Sequence, residues 1–160
     1  MRQLVLGLGN DIFGDDAIGL RVIESLACRA GLDRFDFQTA GSGGLALLDL
    51  LSGYDKAFIV DCIPTQDGLS GEVSHLRPGE LSCSPLTLSS HYAGLPEVLA
   101  IGERLGIPMP AIEIVAISVS DPFWIREGLS AEMSLAFPSI VDQIERILLE
   151  TPDARVRIGK

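Results

Sequence analysis

The opening segment MRQLVLGLGNDIFGDDAIGL constrains the fold more than any other stretch of the chain. Leu4 to Leu8 is a continuous apolar run of strand length, and from Ala17 to Ala27 the apolar residues recur with helical period, Ile18, Val22 and Leu26 sharing one face. Between them lie Gly7, Gly9 and Gly14, followed by two adjacent carboxylates, Asp15 and Asp16. A glycine-rich turn from strand to helix ordinarily offers its backbone N–H groups to a phosphate. Here two negative side chains already occupy the positive end of the helix dipole and would repel a pyrophosphate. The glycine spacing also departs from GxGxxG, because Ile12 stands where the last glycine is required. The turn suits a cation. For the pair, capping the helix and a functional role are equally open readings; Asp15 fits the cap better and Asp16 the functional role.

Further along, strand and helix patterns alternate. Phe35 to Thr39 reads as a second strand, followed by the loose turn Ala40-Gly41-Ser42-Gly43-Gly44 and a helix carrying Leu45, Leu48 and Leu51. Lys56 to Cys62 is an apolar strand that presents Asp61 near its carboxyl end, and Gly71 to Leu76 alternates as an edge or half-exposed strand does. Arg77 to Ser90 is rich in Pro, Ser and Leu without helical period, a loop of functional length closed by His91. Gly94 to Leu105 has helical spacing, Ala111 to Ile117 is β-branched, and Ser130 to Glu150 is a long amphipathic helix that Pro138 is expected to bend or break. This order predicts an α/β fold: a three-layer α/β/α sandwich around a mostly parallel, twisted sheet of about five strands. Residues 1–150 form one expected domain and 151–160 a frayed tail.

Composition excludes several functions. With 22 Asp and Glu against 12 Lys and Arg, the chain carries a formal charge of −10. It therefore offers no basic patch to nucleic acid and is repelled by anionic lipid. Cys28, Cys62 and Cys83 are odd in number and form no CxxC pair, which argues for reduced thiols and against a disulfide framework. The apolar run near the N-terminus is too short for a signal peptide, and no stretch approaches the ~20 apolar residues of a membrane span. The expected location is cytoplasmic, with no membrane insertion.

In an open α/β sheet the ligand crevice lies beyond the carboxyl ends of the strands. Asp15, Asp16 and Asp61 each follow such an end, and His91 can reach the same crevice from the loop before its helix. Carboxylate oxygens with one imidazole suit a divalent first-row ion and leave positions open. A rival constellation is present: Ser42 in its glycine turn, with Asp61 and His91, follows the chain order of an α/β-hydrolase triad. That match is loose, because Ala40 replaces the first glycine of the elbow and the acidic pair is left without a role. Cys62 is either a soft ligand beside Asp61 or a small buried residue. His75 has only an ordinary structural role, and Phe123 and Trp124 either line a pocket or, in the ordinary reading, anchor a loop to the core.

The segments GLGNDIFGDDAIG, AGSGGLALLDLL, FIVDC, SSHYAGLPEVLAIGERLG and REGLS, in that order, resemble the maturation endopeptidases of nickel-iron hydrogenases. The resemblance runs from about Met1 to Glu150. It implies a three-layer α/β/α enzyme that removes a C-terminal extension from the hydrogenase large-subunit precursor once nickel is inserted. It further implies that Asp16, Asp61 and His91 recognise nickel carried by the precursor, and that Gly41, Ser42, Gly43 and Gly44 contact that substrate. No organic cofactor is implied. Asp15 is a candidate general base. Two other readings stand beside this one: a serine hydrolase using Ser42, His91 and Asp61, and a chaperone that binds the nickel-loaded precursor without cutting it. Compared with the family pattern, the Asp-Pro and Trp of SVSDPFWIREGLS are a departure that bears on which hydrogenase is processed.

Overall fold

A computed structural model describes residues 1–41, 43–65, 69–77 and 95–152. Its strands are β1 (Gln3–Leu8), β2 (Phe35–Ala40), β3 (Lys56–Pro64), β4 (Val73–Leu76) and β5 (Ala111–Val119). The helices are α1 (Ile18–Leu26), α2 (Ala46–Leu51), α3 (Leu95–Arg104) and α4 (Ala131–Glu150), with one turn of 3-10 helix at Gly14–Ala17 leading into α1. The five strands lie in the order β2-β1-β3-β5-β4. β1 pairs in parallel with β2 and β3, β3 with β5, and only β4 runs antiparallel.

Both faces of the sheet are covered, which is why β1 is apolar at every position except its first. Val5 faces α1 and α4 in one core with Ile18, Val22 and Ile144, all buried. Leu4, Leu6 and Leu8 face the other way, against Leu47 and Leu51 of α2 and Leu95 of α3. The predicted three layers and mostly parallel sheet are therefore present.

Two glycines set how closely the first layer approaches. A Cβ on Gly19 would lie 2.2 Å from the Leu8 carbonyl oxygen, and one on Gly7 would lie 2.5 Å from that of Gly19. With no side chain on either, the start of α1 sits directly on β1, and the turn before it is held over the ends of the strands.

Two expectations need correction. Pro138 neither ends nor divides α4, which is continuous from Ala131 to Glu150. The proline and Ser134, whose carbonyl loses its intrahelical donor, both lie on the exposed side, where water can serve that oxygen. Asp61 is not a strand terminus either. β3 continues beside β5 to Pro64, opposite Val119, whereas its register with β1 stops at Gly7 opposite Val60. Asp61 is thus the residue at which β3 outruns β1. The proposed tail lies outside the described residues from 153 onward, as does the loop over 78–90.

No helix among the described residues is long and apolar enough to cross a membrane.

Candidate functional site

The chain leaves β1 to form β2 on one side and then β3 on the other, so the switch in strand order falls between β1 and β3. Connections leaving the sheet in opposite directions open a crevice at such a point. The acidic turn that follows β1 and the Asp61 position of β3 both lie there.

Backbone bonds shape the turn: Phe13 donates to Asn10 O at 3.1 Å and Asp16 to Phe13 O at 2.7 Å. Gly9 is required under it, since a Cβ there would stand 2.3 Å from the Asp16 carbonyl oxygen. The Asp16 side chain then folds back, its Oδ2 accepting from the Asn10 N–H at 2.8 Å. Its Oδ1 accepts from the Cys62 thiol at 3.1 Å. On β3, the Cys62 N–H donates to Asp61 Oδ1 at 2.8 Å. Cys62 consequently holds one oxygen of each carboxylate. Alternation places it on the α1 side of the sheet with Phe58 and Val60, and Asp61 on the α2 and α3 side with Ile59 and Ile63.

The surroundings are dry for charged groups. Asp61 is 0% exposed, Asp16 7% and Asp15 6%. Burying carboxylates is costly unless donors or a cation compensate them. Burial, then the charges of Asp61 and Asp16, push the Cys62 thiol well above its ordinary range. It is a buried S–H donor, which favours the expectation of a small buried residue over that of a soft ligand.

Asp15 does not cap its own helix. Neither the 3-10 turn nor α1 has a side-chain cap. Instead Asp15 Oδ1 accepts from the backbone N–H of Ser130 at 2.6 Å, tying the turn to the start of α4. Ser130 is the true cap, its Oγ accepting from Met133 N at 3.1 Å. Sequence reasoning missed this link, because Asp15 fits a local cap and nothing in the pattern pairs it with a residue so distant.

The glycine turn after β2 adjoins the acidic one: Gly9 N donates to Ala40 O at 3.3 Å, and Gly41 comes close to the Gly9 carbonyl. Ser42 lies outside the described residues, between Gly41 and the half-buried Gly43 and Gly44. β2 ends at Ala40 and α2 begins at Ala46, a wider connection than a nucleophile elbow uses. His91 also lies outside the described residues, a few positions before α3. Among the described residues, no group of three or more His, Cys, Asp or Glu is arranged to hold a metal ion. The structure thus links Asp16 and Asp61 each to Cys62, from opposite faces of β3, and sets Gly41 next to Gly9 of the acidic turn.

Phe123 and Trp124 are not core anchors. Both are 63% exposed, and the guanidinium of Arg126 lies 5.5 Å over the Trp124 ring. Their loop is held by Pro122, which is buried, and by backbone bonds to the acidic turn. His75 has the structural role expected of it, its Nε2 lying 3.1 Å from Glu113 Oε2.

A family model of hydrogenase maturation proteases matches residues 20–147. The chain is similar to the hydrogenase 2 maturation protease of Escherichia coli (strain K12), 35% identical over 102 residues covering 62% of this chain. The chain spans 62% of that relative's length. Among solved structures it is similar to the hydrogenase maturating endopeptidase HybD from E. coli, with a TM-score of 0.77 and 28% identity, covering 94% of this chain and 93% of that one. It is also similar to the NiFe hydrogenase maturation protease HybD from Thermococcus kodakarensis, with a TM-score of 0.67 and 25% identity over 92% of this chain and 99% of that one.

Proposed function

Because the chain belongs to the hydrogenase maturation protease family, we propose that it is an endopeptidase removing the C-terminal extension of a nickel-iron hydrogenase large-subunit precursor after nickel insertion. The observation that carries this reading is the pair of buried carboxylates at the switch point, with Cys62 donating to an oxygen of both. Two carboxylates in a dry crevice favour a cation as partner, and in this reading the cation arrives as part of the substrate. Asp16 and Asp61 address the nickel of the precursor, joined by His91 from the segment that precedes α3. Two oxygens and an imidazole nitrogen fit a borderline divalent ion while leaving room for the ligands that the precursor already supplies.

Recognition of this kind makes cleavage conditional on the metal. An ion held between precursor and protease polarises a neighbouring carbonyl or acidifies a bound water, and a carboxylate accepts the proton that water loses on attack. Water adds to the carbonyl carbon, the C–N bond breaks, and the proton passes to the departing amine. The glycine turn of Gly41, Ser42, Gly43 and Gly44, of which Gly41 adjoins Gly9 of the acidic turn, contacts the substrate. The reaction takes place in the cytoplasm.

Mass analysis of purified precursor tests the proposal. Incubation with this protein is expected to shorten the nickel-loaded precursor at its C-terminus and to leave the nickel-free form intact. Asp16→Asn and Asp61→Asn are each expected to slow processing by about 100-fold or more, the scale of losing a catalytic proton-transfer or metal-orienting group. A nickel-loaded precursor that binds but keeps its mass would overturn the protease reading in favour of a non-cleaving chaperone. Loss of activity in Ser42→Ala with retention in Asp16→Asn would favour the serine hydrolase.

A further inference from the structure

Ile12, Phe123, Trp124 and Ile125 are respectively 59%, 63%, 63% and 68% exposed. Single exposed apolar residues are ordinary, but a contiguous group is not. Phe123, Trp124 and Ile125 are consecutive in the chain, and Ile12 is brought beside their segment because the backbones that carry them are joined. Arg126 N donates to Ile12 O, and Gly14 N donates to Arg126 O, both at 3.3 Å, in a short parallel bridge centred on Phe13 and Arg126. Gly14 permits the approach, since a Cβ there would lie 2.5 Å from Arg126 Cγ. The Ser130 N–H, bonded to Asp15 at 2.6 Å, fastens the other end of the same loop. The apolar surface is therefore bolted to the turn that bears Asp16, and anything resting on it is placed in register with that carboxylate.

We propose that this surface is where the hydrogenase precursor docks, and that it takes an apolar segment of that protein flanked by Lys or Arg. The proposal rests on the protease reading above and adds the protein surface that selects the substrate. Charge argues for the basic flank: Asp11, Asp121 and Glu127 are all exposed and adjoin the apolar residues in sequence, while the nearest cation, Arg126, is turned over Trp124. Position argues for the substrate over a second copy of this chain, because a copy seated here would stand at the mouth of the crevice that the precursor must enter. Trp and Arg stacked at the centre of an exposed apolar group are also the residue types that dominate binding energy at protein interfaces.

The test is calorimetric binding and processing kinetics with intact, nickel-loaded precursor, using Trp124→Ala and the double variant Ile12→Ser/Ile125→Ser. Both substitutions are at exposed positions, and circular dichroism verifies the fold. Each variant is expected to raise Kd and KM by about tenfold or more with kcat within about twofold, the signature of a lost interface anchor. Asp16→Asn is expected to differ by lowering kcat about 100-fold or more, a loss that the surface variants do not show. Raising the salt concentration is expected to weaken wild-type binding, as screening of a basic flank requires. Unchanged Kd in both variants would overturn the docking surface even with the protease activity intact, and salt-independent binding would overturn the basic flank. A wild-type dimer that either variant dissociates would assign the surface to self-association. A wild-type protein that neither binds nor cuts the precursor would overturn the protease reading, and this inference with it.

Discussion

The Cys62 thiol donates to Asp16 Oδ1 at 3.1 Å, from a residue whose own N–H is committed to Asp61 Oδ1 at 2.8 Å. A β-strand sends successive side chains to opposite faces, so neighbouring residues rarely serve one site. Here β1 has ended and the acidic turn folds over the top of β3, which lets Cys62 reach Asp16 from one face while Asp61 belongs to the other.

Removing that donor takes one hydrogen bond from a buried carboxylate. Cys62→Ala is expected to lower stability by about 1–3 kcal/mol, the scale of a hydrogen bond to a charged group. Cys62→Ser, which keeps a hydroxyl donor, should recover part of the loss. Urea denaturation of the three proteins at neutral pH decides this, and equal midpoints for the Ala and Ser variants would show that the bond contributes nothing.

The same thiol produces a pH dependence of defined sign. Burial, followed by the charges of Asp61 and Asp16, raises its pKa in the folded protein. The folded state therefore holds the proton to higher pH than the unfolded state does. The associated stability is complete below an unfolded thiol pKa of about 8.5 and declines as pH rises beyond it. Denaturation midpoints for wild type should fall between pH 8 and pH 10 more steeply than those of Cys62→Ser. Alkylation followed by peptide mapping supplies a second readout: exposed Cys28 should react in the native protein, and buried Cys62 only on unfolding.

Asp15 is the carboxylate whose role the structure changes most. With Oδ1 bonded to the Ser130 N–H at 2.6 Å, it fastens the acidic turn to α4. Asp15→Asn is expected to cost about 1–2 kcal/mol, since an amide oxygen accepts less strongly than a carboxylate. Processing should nevertheless stay within about tenfold of wild type, well short of the loss that removing a general base produces. Complete loss of turnover in a stably folded Asp15→Asn protein would assign Asp15 as the base.

What the sequence made legible follows from the range over which each signal acts. The apolar run of β1 and the helical period after Ala17 are local patterns, and the sheet and the first helical layer could be read from them. Asp16 and Asp61 were legible as candidates because strand ends in an α/β sheet point to one crevice. The Asp15 to Ser130 bond and the Arg126 bridge were not, because each joins segments more than a hundred residues apart and draws its donors from backbone N–H groups that carry no sequence signal. Trp124 misled for a related reason. An aromatic in an apolar context usually enters the core, but here backbone bonds to Ile12 and Gly14 hold the loop with its rings turned outward.

Gly19 carries a prediction that separates packing from chemistry. Its absent Cβ would be 2.2 Å from Leu8 O and 2.7 Å from Val60 O, so Gly19→Ala must lift α1 from both strands. The expected cost is about 1–3 kcal/mol, as for other overpacked sites. Because the acidic turn leads directly into α1, the same displacement should weaken processing at temperatures where the variant is still folded. Gly106→Ala meets nothing within 4 Å and has only its positive φ of 68° to strain, far from the crevice. It should cost stability without changing the rate of the folded fraction, and equal effects of both substitutions on that rate would refute the argument from close approach.

At the opposite end of the sheet, Lys56 is 2% exposed, with its Nζ 3.7 Å from Glu113 Oε1, 3.0 Å from the Pro152 carbonyl oxygen and 5.0 Å from the Phe58 ring. Glu113, whose side chain is 15% exposed, also faces His75, so one half-buried carboxylate answers two groups of the β3, β4 and β5 edge. Removing a single partner from a buried pair leaves the other charge uncompensated, whereas removing both leaves none. Glu113→Gln alone is therefore expected to destabilise by about 3 kcal/mol or more, and the double variant Lys56→Met/Glu113→Gln by less than the single one. His75→Ala should cost little, because a partly exposed polar pair of this kind contributes about 0–1 kcal/mol. Thermal denaturation of these variants tests the ordering. A double variant less stable than Glu113→Gln would show that the Lys56 contacts to Pro152 and Phe58, and not its charge pairing, hold this end of the sheet closed.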